Sequence, residues 1–153
     1  MPFYLLALLI GVIAGLRAMT APAAVSWAAA LGWLDVGGTW LAFLASRWTT
    51  WIVTGLALVE LVADQLPTTP SRTVPIQFGT RIVAGAFCGA ALTGADSAIA
   101  GALLGGVGAV IGTLGGRGFR ARLAASFGSD PPAAFIEDAV AIGGALLIIL
   151  TIR

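Results

Sequence analysis

Trp48-TTWIVTGLALVELVAD-Gln65 is apolar enough to cross a bilayer, yet it carries two carboxylates near its end, and the proline-rich run Leu66-PTTPSR-Thr73 follows at once. A charged group at membrane depth costs several kcal/mol unless it is paired, hydrated or protonated. Glu60 and Asp64 stand four residues apart, so they share one helix face and can serve a single ion, proton or cationic group. This pair is the first functional candidate.

The rest of the chain supports a membrane reading. Of 153 residues, 59% are hydrophobic and 10% charged, and the mean hydropathy is +1.01. A soluble domain carries roughly 25% charged residues, so this surface is suited to lipid. All eight positive residues are Arg, and there is no His. Without His, the commonest proton relay and metal ligand are missing, and carboxylates must carry any proton chemistry. Cys88 is the single cysteine, which excludes an intramolecular disulfide, a thiolate cluster and a CxxC motif. In the small-residue run Gly85-AFCGAALT-Gly94 it reads as a packing residue. The first apolar stretch lacks a basic leader, so it is expected to be a retained helix.

Hydropathy predicts an all-α polytopic domain filling residues 1–153, with about five crossings at Phe3–Met19, Thr39–Gln65, Gly79–Gly94, Ala95–Leu114 and Ala133–Ile152. Between the first two, Pro22–Leu34 is too short to cross and is expected to be a broken or re-entrant helix. Asp35-VG-Gly38, the 66–75 loop and Gly128-SDP-Pro132 are the breaks, and Gly115-GRGFRA-Arg122 reads as a basic connecting segment. Trp40, Trp48 and Trp51 are expected as interfacial anchors. In this arrangement Arg72, Arg81, Arg117, Arg120 and Arg122 fall on one side, and Arg47 and Arg153 on the other. The positive-inside rule then places the N-terminus and both Arg-bearing loops in the cytoplasm and the C-terminus outside. Gly11-VIAGL-Arg17 echoes Gly108-AVIGT-Leu114, each followed by a short piece and a helix bearing Glu60 or Glu137, which suggests a weak inverted repeat.

The candidate residues each carry a plainer reading. Glu60, Asp64, Glu137 and Asp138 fall at the same side as Arg72 and Arg81, and can form either salt bridges that pin loops to helix ends or an ion-binding or proton-relay site. An acid at a helix C-terminus opposes the dipole, so Asp64 needs a cation, and Arg72 is the expected one. Arg17 is placed opposite the acids. There it can snorkel to the interface, or bind an anionic headgroup or carboxylate beside a free helix N-terminus. Gly101, Gly105, Gly108, Gly112 and Gly116, with Gly85 and Gly89, offer faces for close helix packing within the chain or in a homo-oligomer. No GK[ST] follows any glycine run, so nucleotide binding is rejected. Absent His also excludes a Ser-His-acid triad. Arg117, Arg120 and Arg122 with one interleaved aromatic suit anionic lipid rather than nucleic acid.

Gly15-LRAMTAPAAVSWA-Ala29, Glu60-LVADQLPTTPSR-Thr73, Arg81-IVAGAFCG-Ala90 and the Glu137-Asp138 helix resemble the small bacterial membrane proteins of domain-of-unknown-function family 4126. The resemblance covers nearly the whole chain and implies a helical membrane domain; it implies no activity. The expectation is a multi-pass protein of the cell inner (plasma) membrane, in contact with lipid and self-associating through Gly-rich faces, without cofactor or nucleic acid. Its expected function is a transporter or channel for an ion or small polar solute. Glu60 and Asp64 bind the cation or proton, Glu137 and Asp138 complete the lining, and Arg72 and Arg81 tune it; Arg17 is counted with the ion- or substrate-binding residues, and the metal, if any, is unspecified. The alternative is a lipid-binding or structural membrane protein without transport. An enzyme ranks below both.

Overall fold

The structure is a computed structural model that describes residues 2–65 and 73–153, and within them it contains helices and turns but no strand. The helices are α1 (Pro2–Leu16), α2 (Thr20–Ala30), α3 (Arg47–Ala63), α4 (Pro75–Thr93), α5 (Ala98–Phe127) and α6 (Asp130–Thr151). Short 3-10 turns at Ala42–Ala45 and Ala95–Ser97 precede α3 and α5. Prolines enter early, at Pro75 of α4 and at Pro131 and Pro132 of α6, where a missing N–H costs nothing. Gly94 (φ +72°) and Gly128 (φ +68°) end α4 and α5 in the left-handed region that side chains disfavour.

Three segments are long and apolar enough to cross a membrane: Pro75–Thr93, Ala95–Phe127 and Asp130–Thr151; α1 is a shorter apolar helix. Together with the exposed apolar surface (Ile52, Val59, Ile76, Val83, Ile99 and Leu103 among many), they define an α-helical membrane protein. α5 is the exception in length. At 30 residues it runs about 45 Å, against about 30 Å for a hydrocarbon core. The sequence reading ended this helix near Leu114, but Gly115, Gly116 and Gly118 cost about 1 kcal/mol each and do not break it. The basic segment is therefore helical, and only Gly128 stops it.

The core is a glycine-mediated bundle of α1, α4 and α5. Gly101 and Gly105 of α5 lie on the backbone of Gly89 and Gly85 of α4, while Gly108 and Gly112 lie on α1 at Leu8 and Val12. A Cβ at any of these would strike backbone. These glycine faces, expected to pack within the chain or between copies, are thus filled within one chain. Cys88 is fully buried in this core.

Helix directions follow from the same contacts. Gly11 meets Gly105, and Gly15 meets Ala109 and Thr113, so α1 and α5 run parallel. α4 opposes α5. α6 opposes α1, because Gly144 lies on Ile13 whereas Asp138 reaches Arg17. α2 turns back from the end of α1, and Trp33 beyond its far end stacks 5.3 Å from the guanidinium of Arg153. α3 then opposes α2 through a polar seam: the Ser26 and Thr50 hydroxyls meet at 3.0 Å, and Trp27 Nε1 donates to Thr54 Oγ1 (3.0 Å), while Ser26 also donates to the carbonyl of Leu44 in the turn before α3 (2.6 Å).

Successive helices therefore alternate in direction, and two expectations are corrected. Because α2 reverses the chain, the N-terminus lies at the same end as the C-terminus, not opposite it; Tyr4 there meets Ser97 at 3.0 Å. The inverted repeat also fails, since its two leading helices, α1 and α5, lie side by side and parallel. The end holding both termini also carries exposed Trp40 and Trp48, and is called the tryptophan end. The arginine end holds Arg117, Arg120 and Arg122.

Candidate functional site

α1 stops at Leu16 and α2 starts at Thr20, leaving backbone groups unsatisfied at a break inside the bundle. In a membrane such groups cost several kcal/mol each, so the fold must partner them. Two charged side chains do this. Arg81 of α4 donates through Nη1 to the carbonyls of Gly15 (2.9 Å) and Leu16 (2.7 Å). Thr113 of α5 adds a bond to the Gly15 carbonyl at 3.2 Å. Glu60 of α3 accepts the N–H groups of Ala18 (2.7 Å) and Met19 (2.8 Å), one on each carboxylate oxygen. Cation at a helix C-terminus and anion at a helix N-terminus are the favourable pairings with the dipoles. Arg81 Nη2 and Glu60 Oε1, 3.6 Å apart, link the two caps.

Beside this cap lies a second set of charges. Arg17, in the break itself, is fully buried and ion-paired with Asp64 and Asp138. Its Nε donates to Asp138 Oδ1 at 2.6 Å, and Nη2 is 4.0 Å from Glu137. Gln65 donates to the other Asp138 oxygen at 3.1 Å. Arg120 of α5 donates to Asp130 (2.9 Å through Nε), lies 3.5 Å from Glu137, and reaches the Asp64 carbonyl at 3.3 Å. Arg81 and Glu137 are each 1% exposed and Asp138 9%. Side chains from α3, α4, α5 and α6 thus converge on the α1–α2 break in one layer.

The layer unites most of the residues singled out in the sequence. Glu60, Asp64, Glu137, Asp138 and Arg81 meet there as expected. Arg17 was placed on the opposite side, and this is overturned: α2 turns the chain back, so the end of α1 lies among the acids. The carboxylate expected near its helix N-terminus is the protein's own Glu60. Arg72, expected to pair with Asp64, lies outside the described residues; Arg17 meets Asp64 instead. Arg120, assigned to lipid, is held by Asp130 and Glu137, whereas Arg117 and Arg122 are exposed. Sequence reasoning missed Gln65, Thr113 and Asp130. Asp130 alone left a signal, an acid ten residues after Arg120 across a glycine turn. Among the described residues, no group of three or more acids or Cys88 is placed to hold a metal ion. A cavity of about 260 Å³ lies elsewhere, at the tryptophan end, between Asp35–Leu41 and the junction of α4 and α5.

A helical membrane protein with a charge layer at a helix break is the class that fold and site define. A family model described as Domain of unknown function (DUF4126) matches residues 4–151. The chain belongs to that family. No curated protein and no solved structure matches it.

Proposed function

We propose that this protein is a small transporter or channel for an ion or small polar solute, and that the charge layer is its site. One observation carries the reading. Glu60 and Arg81 are needed to cap the broken helix, but the Arg17–Asp64–Asp138–Glu137 group goes beyond those caps. Burying ion pairs is costly, and well-packed apolar residues in their place are often neutral or stabilising by about 1–4 kcal/mol. Intramembrane charge kept beyond structural need favours a pathway. In this reading α2 is the short returning piece and the other five helices cross the inner (plasma) membrane of a bacterial cell. The arginine end faces the cytoplasm by the positive-inside rule, and both termini lie outside. A moving ion or solute exchanges with the internal Arg–carboxylate pairs, so Asp64, Asp138 and Arg17 bear most directly on flux.

The test is ion and solute flux into proteoliposomes, comparing wild type with Asp138→Asn and Asp64→Asn of matched thermal stability. Loss of flux in the folded variants is the expected result. Equal flux in all three would remove the layer from the pathway. A second reading, lipid binding without transport, is favoured by Arg117, Phe119 and Arg122, which stand exposed on α5 beyond the layer. Anionic lipid that copurifies with wild type and is lost in Arg117→Gln/Arg122→Gln, with no flux in any protein, would support it.

A further inference from the structure

The carboxylate of Glu60 sits in a receptor that the rest of the chain builds. Its two oxygens take one N–H each from Ala18 and Met19, Arg81 faces one of them, and the first residue of α2, Thr20, has a buried hydroxyl with no hydrogen-bond partner among the described residues. Thr20 is 8% exposed and Arg81 1%. Two convergent N–H groups, a helix N-terminus and a guanidinium form a bidentate carboxylate receptor. The receptor belongs to the rigid part of the molecule: Arg81 rises from the glycine-packed α4, and the N–H groups lie at the break between α1 and α2.

The occupant does not. α3 packs on α2 and on the turn Ala42–Ala45, and makes no comparable contact with α1, α4, α5 or α6. Its arginine end is held by polar groups: Glu60 on the receptor, Asp64 on Arg17, the Asp64 carbonyl on Arg120 and Gln65 on Asp138. The Glu60 side chain is also 14% exposed, where Arg81 is 2%, so the carboxylate lies on the open side of the pair. Few apolar contacts and a polar tether mark α3 as the element with the lowest cost of local opening.

We propose that Glu60 is a tethered place-holder in a binding site for a small carboxylate monoanion, and that α3 is the gate that withdraws it. When the end of α3 swings away, opening the Gln65–Asp138 and Arg120–Asp64 carbonyl bonds, Ala18 N–H, Met19 N–H and Arg81 receive the external carboxylate in its stead, and Arg17 loses Asp64 but keeps Asp138. One carboxylate replaces another, so the charge facing Arg81 is unchanged. This deepens the transport reading, on which it rests, by naming the solute class and the moving helix.

Two binding measurements on detergent-purified protein test it without requiring flux. In Glu60→Ala the receptor is vacated. Sodium formate is expected to raise its melting temperature by about 2–4 °C over sodium chloride at equal ionic strength. Wild type, whose receptor is filled, and Glu60→Ala/Arg81→Gln, whose receptor is damaged, should respond less. No formate-specific rise in Glu60→Ala, or an equal rise in all three, overturns the site. In wild type, formate is expected to speed amide hydrogen exchange across 56–65 of α3 while 18 and 19 stay protected. Unchanged exchange in α3 overturns the gate, even where Glu60→Ala fails to fold. Absent flux with positive binding would instead fault the transport reading and leave the receptor standing.

Discussion

Replacing Arg17 by Met isolates the energetics of the charge layer. The Arg17 side chain is fully buried and holds Asp64 and Asp138, whose side chains are 11% and 12% exposed, with Glu137 at 4.0 Å. Met fills similar length but leaves these acids facing one another across a lost cation. Breaking a buried pair by removing one partner costs about 3–5 kcal/mol, because the remaining charge stays desolvated. For a chain of this size about 1 kcal/mol shifts the melting temperature by roughly 2–4 °C, so Arg17→Met should melt about 6–20 °C lower. The triple variant Arg17→Met/Asp64→Asn/Asp138→Asn removes both signs together, and should regain most of the loss, since a neutral replacement of a buried ion pair is often near break-even. Tryptophan fluorescence in one detergent at one heating rate reads both. A single variant within about 2 °C of wild type would refute the pairing, and so would a triple variant that melts lower still.

Other consequences can be checked in the same preparation. Gly105→Ala puts a methyl group against the Gly85 backbone and should cost about 1–3 kcal/mol, whereas Gly118→Ala meets nothing within 4 Å and should stabilise by up to about 1 kcal/mol; paired melting curves decide. Arg120→Gln should lower the melting temperature through Asp130 and Glu137, while Arg122→Gln, on the exposed face, should stay within about 0.5 kcal/mol of wild type. Ser26→Ala leaves the Leu44 carbonyl without its buried donor and should cost about 1–3 kcal/mol, loosening α3 in hydrogen exchange. Epitopes fused at residues 1 and 153 should be reached from the same side of sealed vesicles; access from opposite sides would contradict the alternating helix directions.

The sequence determined the solvent before anything else. With 59% hydrophobic and 10% charged residues the surface had to meet lipid, and helices were the available form. Composition also marked the charges worth attention, since each costs free energy at membrane depth, so Glu60, Asp64, Arg81, Glu137 and Asp138 were legible as a group. Glycine spacing declared close packing on α5 but not the partner, because a small residue fits any backbone that approaches it. α1 and α4 of the same chain turned out to fill both faces.

Parity was beyond the sequence. Whether Pro22–Leu34 returns the chain depends on contacts between Trp33 and Arg153, and between Ser26 and α3, which are remote in sequence. On that turn hung the side of Arg17, the end holding the N-terminus, and the failure of the repeat. The pairing of charges was likewise a tertiary matter: electrostatic partners are chosen by distance in space, and Glu60 serves the N–H groups of Ala18 and Met19, some forty residues upstream. Local chemistry fixed which residues are costly to bury; only the packed bundle decided what each of them holds.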